Sequence, residues 1–245
     1  MIYMTREERL LPLEKMTNTR DLGGYETQGG MFTKARKYIR GSSPSQASEE
    51  DLLKLKEYGV EVVVDLRSPF EKSQGENPFK KDEDVEYYEV NLFDSLSAEA
   101  KDAKFKEYKD LGGVYVYMLE HRKKEIKDVF DIFIKHSYEC TLFHCTSGKD
   151  RTGVISILLM DLAGCHEYDI VKDYSETYEN NKEINDYLLT LIEDEEAKDF
   201  IKSSPRYVME LLDYIRENYG SAKEYLVTIG ISYDDVEMLI ENFTI

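Results

Sequence analysis

The chain has 245 residues, 41% hydrophobic and 33% charged, with 14 glycines, 5 prolines and 3 cysteines. That composition excludes a disordered tail, a collagen-like fibre and a disulfide-stapled secreted module, and it predicts one globular domain over residues 1–245. Fifty acidic against 32 basic residues leave a net charge of −18, which repels nucleic-acid backbones and anionic membrane surfaces at long range and so excludes nucleic acid as an expected partner.

At the N-terminus, Arg6, Glu7, Glu8 and Arg9 stand where a leader peptide needs an apolar stretch, so a cytoplasmic location is expected. Lys37 to Ser42 reads as a short strand running into a turn. Ser48, followed by Glu49, Glu50 and Asp51, reads as the capped start of a helix that reaches Tyr58 and stops at Gly59. Val60 to Leu66 is β-branched and almost continuously apolar, the pattern of a parallel strand buried on both faces. Val85 to Leu92 and Glu139 to Cys145 are further strands. The second is preceded by an amphipathic helix over Lys123 to His136, with Ile126, Val129, Phe130, Phe133 and Ile134 on one face. Residues 94–110 are rich in Lys, Glu and Asp and are expected as a surface helix or lid, closed by Gly112-Gly113, the whole forming a variable segment over 94–113. After Thr152 the pattern is helical almost to the end: Val154 to Leu162 is apolar all round, and Ile184 to Ile192, Ser204 to Tyr219 and Tyr233 to Asn242 are amphipathic. Residues 173–245 thus form a helical extension. The longest apolar run, Val154 to Met160, falls far short of the ~18–20 residues that span a bilayer, so no integral membrane association is expected. Strands alternating with helices predict an α/β fold with a central, mostly parallel sheet flanked by helices.

The chemistry is concentrated in Phe143-His144-Cys145-Thr146-Ser147-Gly148-Lys149-Asp150-Arg151-Thr152-Gly153. An apolar strand delivers a cysteine to a small-residue loop that opens an apolar helix. A strand-to-helix loop of this kind turns successive N–H groups inward and aims the positive end of the helix at the same point, which makes an anion cradle. Those dipoles, with Lys149 and Arg151 beside them, favour the thiolate of Cys145 as a nucleophile. Arg151 supplies a planar fork for two phosphate oxygens. Taken singly, such a cysteine is a small buried hydrophobe, a Gly-Lys pair is a turn and Arg-Thr is surface. Cys145 and Arg151 with five residues between them, and Gly148 and Gly153 in the same turn, together specify an anion site. Asp150 follows Lys149 where a nucleotide-binding loop needs a Ser or Thr for magnesium, so a P-loop for ATP is excluded.

This string matches the Cys-x5-Arg loop of protein tyrosine phosphatases, and HCTSGKDRTG resembles the atypical bacterial group typified by mycobacterial tyrosine phosphatase B and its Listeria relative. Asn18-Thr19-Arg20-Asp21-Leu22-Gly23-Gly24, Arg40-Gly41-Ser42, Asp65-Leu66-Arg67-Ser68, Asn91-Leu92-Phe93-Asp94, Ser204-Pro205-Arg206-Tyr207 and Tyr219-Gly220-Ser221 resemble the same group in the same order. The resemblance implies a single-domain tyrosine or dual-specificity phosphatase fold in which Cys145 attacks phosphorus and forms a cysteinyl-phosphate. It implies that Arg151 and the loop from Thr146 through Ser147, Gly148 and Lys149 hold the phosphoryl oxygens, that Thr152 stabilises the leaving thiolate, and that His144 orients the loop. The general acid is Asp150 inside the loop or Asp94 after the Val85 to Leu92 strand, with Asp150 preferred. A cationic Lys149 resembles the loops of phosphoinositide phosphatases, so the implied partners are a phosphotyrosine protein or a phosphoinositide, with phosphate or vanadate as loop ligands.

Two other functions keep a cysteine in an anion loop. A sulfurtransferase or arsenate reductase is disfavoured by Arg151-Thr152-Gly153, and a catalytically silent phosphate-recognition module by the retention of every reacting group. Cys140 and Cys165 are expected to be inert thiols, Cys140 pointing away from the pocket. His121, His136 and His166 show no ligand spacing, so no metal or cofactor is expected.

Overall fold

The computed structural model describes residues 3–94, 99, 105–108, 110–194 and 198–245. Five strands, β1 (Arg20–Asp21), β2 (Tyr38–Gly41), β3 (Val60–Asp65), β4 (Glu86–Glu89) and β5 (Cys140–His144), form one sheet in the order β1-β2-β5-β3-β4. The β1–β2 pair is antiparallel and the other three pairs are parallel, so the sheet is mixed with a parallel centre.

Local chemistry explains the elements on either side of β3. Ser48 and Asp51 cap each other at the start of α2 (Glu49–Tyr58), which follows the short α1 (Arg6–Arg9). Gly59 ends α2 at φ +112°, a left-handed conformation that suits glycine. Val60–Asp65 is buried except for Glu61, and the pairing with β5 slips between Val60 and Val62. The slip makes Glu61 the extra residue of a bulge and resets the alternation of faces. Val60 and Val63, with Ile39, Leu142 and Cys140, face a smaller core beneath α2; Val62 and Val64, with Tyr38 and Phe143, face the main core.

The main core is built by α4 (Leu111–His121), α5 (Lys123–Lys135), α6 (Asp150–Leu162), α7 (Glu167–Asn180), α9 (Pro205–Tyr219), α10 (Ala222–Thr228) and α11 (Tyr233–Phe243), while α3 (Pro69–Gln74) and α8 (Lys182–Leu191) lie toward the rim. The expected stripe of α5 is real: Ile126, Val129, Phe130 and Phe133 are buried and Ile134 is half-buried. α6 is buried almost all round, as its sequence required.

One expectation is corrected. Gly112 and Gly113 do not break the chain but sit in the first turn of α4, where Gly112 lies against Glu210 and Tyr207 of α9. The segment read as a surface lid lies partly outside the described residues, at 95–98, 100–104 and 109. Of its described members, Glu99 and Phe105 are buried, Glu99 paired with Arg122 and Phe105 stacked on Phe93 and Tyr117, while Asp94, Lys106 and Glu107 are exposed. The helices after residue 173 likewise share the main core, since Tyr207, Leu211, Tyr225 and Leu239 belong to it.

Candidate active site

The parallel strands β2, β3 and β5 all end at one edge of the sheet, the place where α/β folds build their sites. There β5 runs into Cys145, and the loop from Cys145 to Lys149 leads directly into α6. Lys149 occupies the N-cap without a side-chain cap bond, so the first-turn amides of a 13-residue helix carry no capping side chain. Cys145 is buried at the bottom of the loop. Gly148 adopts φ +69°, and a Cβ there would lie 2.5 Å from the Gly41 carbonyl oxygen; only glycine lets the loop lie against the end of β2.

Arg151 is held in a fork by Glu71 on α3: Nη1 donates to Oε2 at 2.5 Å and Nη2 to Oε1 at 2.7 Å. Nη1 also donates to the Phe93 carbonyl at 3.3 Å. A guanidinium has five N–H donors. Among the described residues, these contacts leave the Nε–Nη2 edge open for two oxygens of an anion. Thr146 Oγ1 donates to Glu71 Oε1 at 2.5 Å, tying the loop to the same carboxylate. Burial opposes ionisation of Glu71, but Arg151 and Thr146 outweigh it and bring the carboxyl down to about 2. Glu71 was not among the residues singled out from the sequence. Its signal was present as Ser68-Pro69-Phe70-Glu71, a capping box in which Ser68 and Glu71 bond each other's backbone N–H.

His144 is fully buried. Its Nδ1 lies 2.9 Å from the Cys145 carbonyl and its Nε2 lies 2.8 Å from Asn77 Nδ2. Asn77 Nδ2 can only donate, which places the ring proton on Nδ1, facing the carbonyl oxygen of Cys145. Burial lowers the imidazole below its usual value despite nearby Asp65, and a neutral ring fits both contacts. Burial would raise Asp65, yet the Arg67 fork outweighs it and holds the carboxyl far below the usual range. Asp65 also receives Tyr87 Oη at 2.9 Å. The Asp65-Leu66-Arg67 motif therefore supports His144 from behind.

Both candidate acids line one cleft of about 270 Å³, together with Glu71, Arg151 and an apolar wall of Phe93, Leu111, Val114 and Met118. Asp150 accepts a hydrogen bond from Tyr115 Oη at 2.7 Å, and Tyr115 meets Tyr174 Oη at 2.6 Å; neither tyrosine was distinguished in the sequence. Asp94 is exposed, with its backbone N–H donating to Glu99. Lys149 Nζ donates to the Phe200 carbonyl and stands 3.6 Å from Asp150, so its ammonium is engaged. Phe200 and Asp150 line both this cleft and a second, of about 520 Å³, which Thr146, Ser147 and Lys149 also line. Thr152 Oγ1 is buried with no hydrogen-bond partner among the described residues.

The remaining thiols face elsewhere. Cys140 lies in the smaller core across the sheet, where burial pushes its thiol up to about 12, and burial likewise raises Cys165. No helix among the described residues is long and apolar enough to cross a membrane.

The model of the tyrosine phosphatase family matches residues 11–245. A tyrosine-protein phosphatase of Nostoc commune is 28% identical over 212 residues, covering 82% of this chain and 72% of its own. A putative tyrosine-protein phosphatase of Cupriavidus necator is 31% identical over 182 residues, covering 71% of this chain and 65% of its own. A solved structure of P. aeruginosa TpbA in complex with pTyr is 11% identical, with coverage of 70% and 86% and a TM-score of 0.33. Matched by that model over almost its whole length, the chain belongs to the tyrosine phosphatase family and is a phosphoric monoester hydrolase.

Proposed function

We propose that the protein hydrolyses phosphotyrosine through a cysteinyl-phosphate intermediate formed on Cys145. The observation that carries this reading is the first cleft, which an apolar wall of Phe93, Leu111, Val114 and Met118 lines together with Arg151, a lining that suits an aryl ring beside its phosphate. The Cys145 thiolate attacks phosphorus, a P–S bond forms and the P–O bond to the tyrosyl oxygen breaks, while Asp150 gives that oxygen its proton. Water then loses a proton to Asp150 and attacks phosphorus, and Cys145 leaves as a thiolate that accepts from the partnerless Thr152 hydroxyl. The loop amides and the open edge of Arg151 hold the equatorial oxygens in both steps, which is where a charge-spread phosphoryl group gains most from fixed donors. The loop string and the distal motifs support placement beside the mycobacterial and Listeria enzymes. Lys149, bonded to the Phe200 carbonyl, offers less to a phosphoinositide than its sequence position suggested.

The test is metal-free phosphate release from a phosphotyrosine peptide, a phosphoserine peptide and phosphatidylinositol monophosphate vesicles, with wild type and Cys145→Ser in parallel. Release from the phosphotyrosine peptide, abolished in Cys145→Ser, is expected. Residual turnover above a few per cent in that variant removes Cys145 as nucleophile. Release from lipid or phosphoserine widens the substrate class, and none from any substrate rejects the reading.

A further inference from the structure

The phosphate loop can present its amides to an anion only if its carbonyls are held on the other side. Those carbonyls are not left to solvent. Asn18 Nδ2 donates to both Ser147 O and Gly148 O, each at 3.0 Å; Arg40 Nη2 donates to Gly148 O at 2.9 Å; and Asn181 Nδ2 donates to Ser147 O at 3.0 Å. Asn18 itself is buried at φ +57°, and its carboxamide oxygen is fixed by Arg20 Nη1 at 2.5 Å. Arg20 and Arg40 converge on one carboxylate, Asp173 of α7, through Nε at 2.8 Å and Nη1 at 2.5 Å. All three charged groups are no more than 1% exposed. Asn18 ahead of β1, Arg40 of β2 and Asn181 past the end of α7 therefore grip the back of the loop, and behind them two guanidiniums on one carboxylate leave a positive charge in excess.

Packing alone does not account for this arrangement. Burying two guanidiniums costs several kcal/mol each before pairing, and a well-packed apolar trio often does as well or better for stability. Arg40 keeps a buried Nε with no partner, and burial lowers its guanidinium below the usual value. The contacts that ion pairing does not require are the ones made to the loop.

We propose that Asn18 and Arg40, anchored by Arg20 and Asp173, are positioning residues that set the phosphate loop with its N–H groups inward. The proposal rests on the reading of residues 145–151 as the phosphoryl site. It gives the Asn18-Thr19-Arg20 and Arg40-Gly41-Ser42 motifs a role in the reaction although neither touches substrate.

The experiment uses wild type, Asn18→Gly, Arg40→Met and a control, Tyr58→Phe. Asn18→Gly keeps the left-handed backbone and removes the carboxamide. Arg40→Met leaves Arg20 and Asp173 as a balanced pair, and provides a second variant should either fail to fold. Tyr58→Phe loses a hydrogen bond to Asp21 beside the smaller core, away from the loop. Each protein is measured for kcat and KM on an aryl phosphate, for orthovanadate affinity by titration calorimetry, and for melting temperature. The loss of two buried hydrogen bonds to the loop predicts a fall of about tenfold or more in kcat and in vanadate affinity for Asn18→Gly, with KM changed less than about twofold. Arg40→Met follows the same split, whereas Tyr58→Phe melts lower but keeps wild-type kcat. Wild-type kcat and vanadate affinity in Asn18→Gly and Arg40→Met overturn the proposal, as does an equal kcat loss in Tyr58→Phe, which would make the effect mere destabilisation. If wild type itself turns over no aryl phosphate, the phosphatase reading fails, and the vanadate affinities alone decide the positioning role.

Discussion

In the proposed reaction Asp150 carries the proton, and its surroundings differ from those of Asp94. The Tyr174–Tyr115–Asp150 chain runs from the core to the cleft and fixes one carboxylate oxygen, leaving the other for a leaving group; Asp94 has no comparable side-chain support among the described residues. Asp150→Asn is expected to lower kcat by about 10²-fold or more on a phenyl phosphate with a basic leaving group, and far less on p-nitrophenyl phosphate, whose leaving group departs without a proton. Tyr115→Phe, which frees the carboxyl but leaves it in place, should fall between. If Asp94→Asn shows the leaving-group dependence instead, the acid is Asp94. A comparison of kcat across substituted aryl phosphates reads out both variants.

At the scale of elements, the six-residue helix α3 matters out of proportion to its length. It contributes no buried residue to the core, yet its capping box fixes Glu71 at the third position, where one carboxylate serves its own helix, Arg151 and Thr146. Glu71→Gln keeps the size but turns an amide N–H₂ toward the guanidinium. Arg151 then loses one arm of its fork, and a displacement of about 1 Å at a reacting centre can cost 10²-fold. The expectation is a fall of about 10–10²-fold in kcat/KM with a small change in melting temperature. Unaltered kinetics would show that Arg151 is held well enough by Phe93 and the loop.

Over the whole molecule, the charge pattern makes a prediction about acid stability. Asp65, Asp173 and Glu71 are each held below their ordinary values in the folded chain, Glu71 at about 2. A carboxyl whose folded value is depressed adds stability that is complete above its unfolded value, near 4, and is lost as pH falls through the folded one. Asp21 and Glu176 are raised, chiefly by burial, and act in the opposite sense, offsetting part of the loss. Buried His144, held below its usual value, adds a loss that begins as pH falls through its unfolded value near 6.5; the melting temperature should therefore start to fall below about pH 6.5 and drop further below about pH 4.5, with a shallower lower step in Glu71→Gln. Thermal melts from pH 7 to pH 3 check it; a profile without the lower step would mean that the raised and lowered carboxyls cancel.

Strands and helices were legible wherever one physical signal dominated: the capping of α2, the β-branched run of β3, the apolar stripe of α5 and the all-round apolarity of α6 each specify an element without help from the rest of the chain. The loop was legible too, because Cys145, Gly148 and Arg151 lie within seven residues and their chemistry depends on that spacing. α4 was not, since Gly112 and Gly113 read as a stop, and it is the packing of α4 on α9 that makes them the first turn of a helix. Glu71, Tyr115, Asn18 and Arg40 stand 80, 35, 130 and 108 residues away from the loop residues they meet, and Asp173 stands 153 from Arg20 and 133 from Arg40; hydrogen bonds at such separations leave no periodicity to read. The sequence by itself determined the class of fold and the anion loop that carries the cysteine and arginine of the proposed reaction, because those follow from local backbone preference and short spacing. Only the tertiary structure decided what holds the arginine, what supports the acid and what turns the loop inward, because burial brings together charges and amides that the chain keeps far apart.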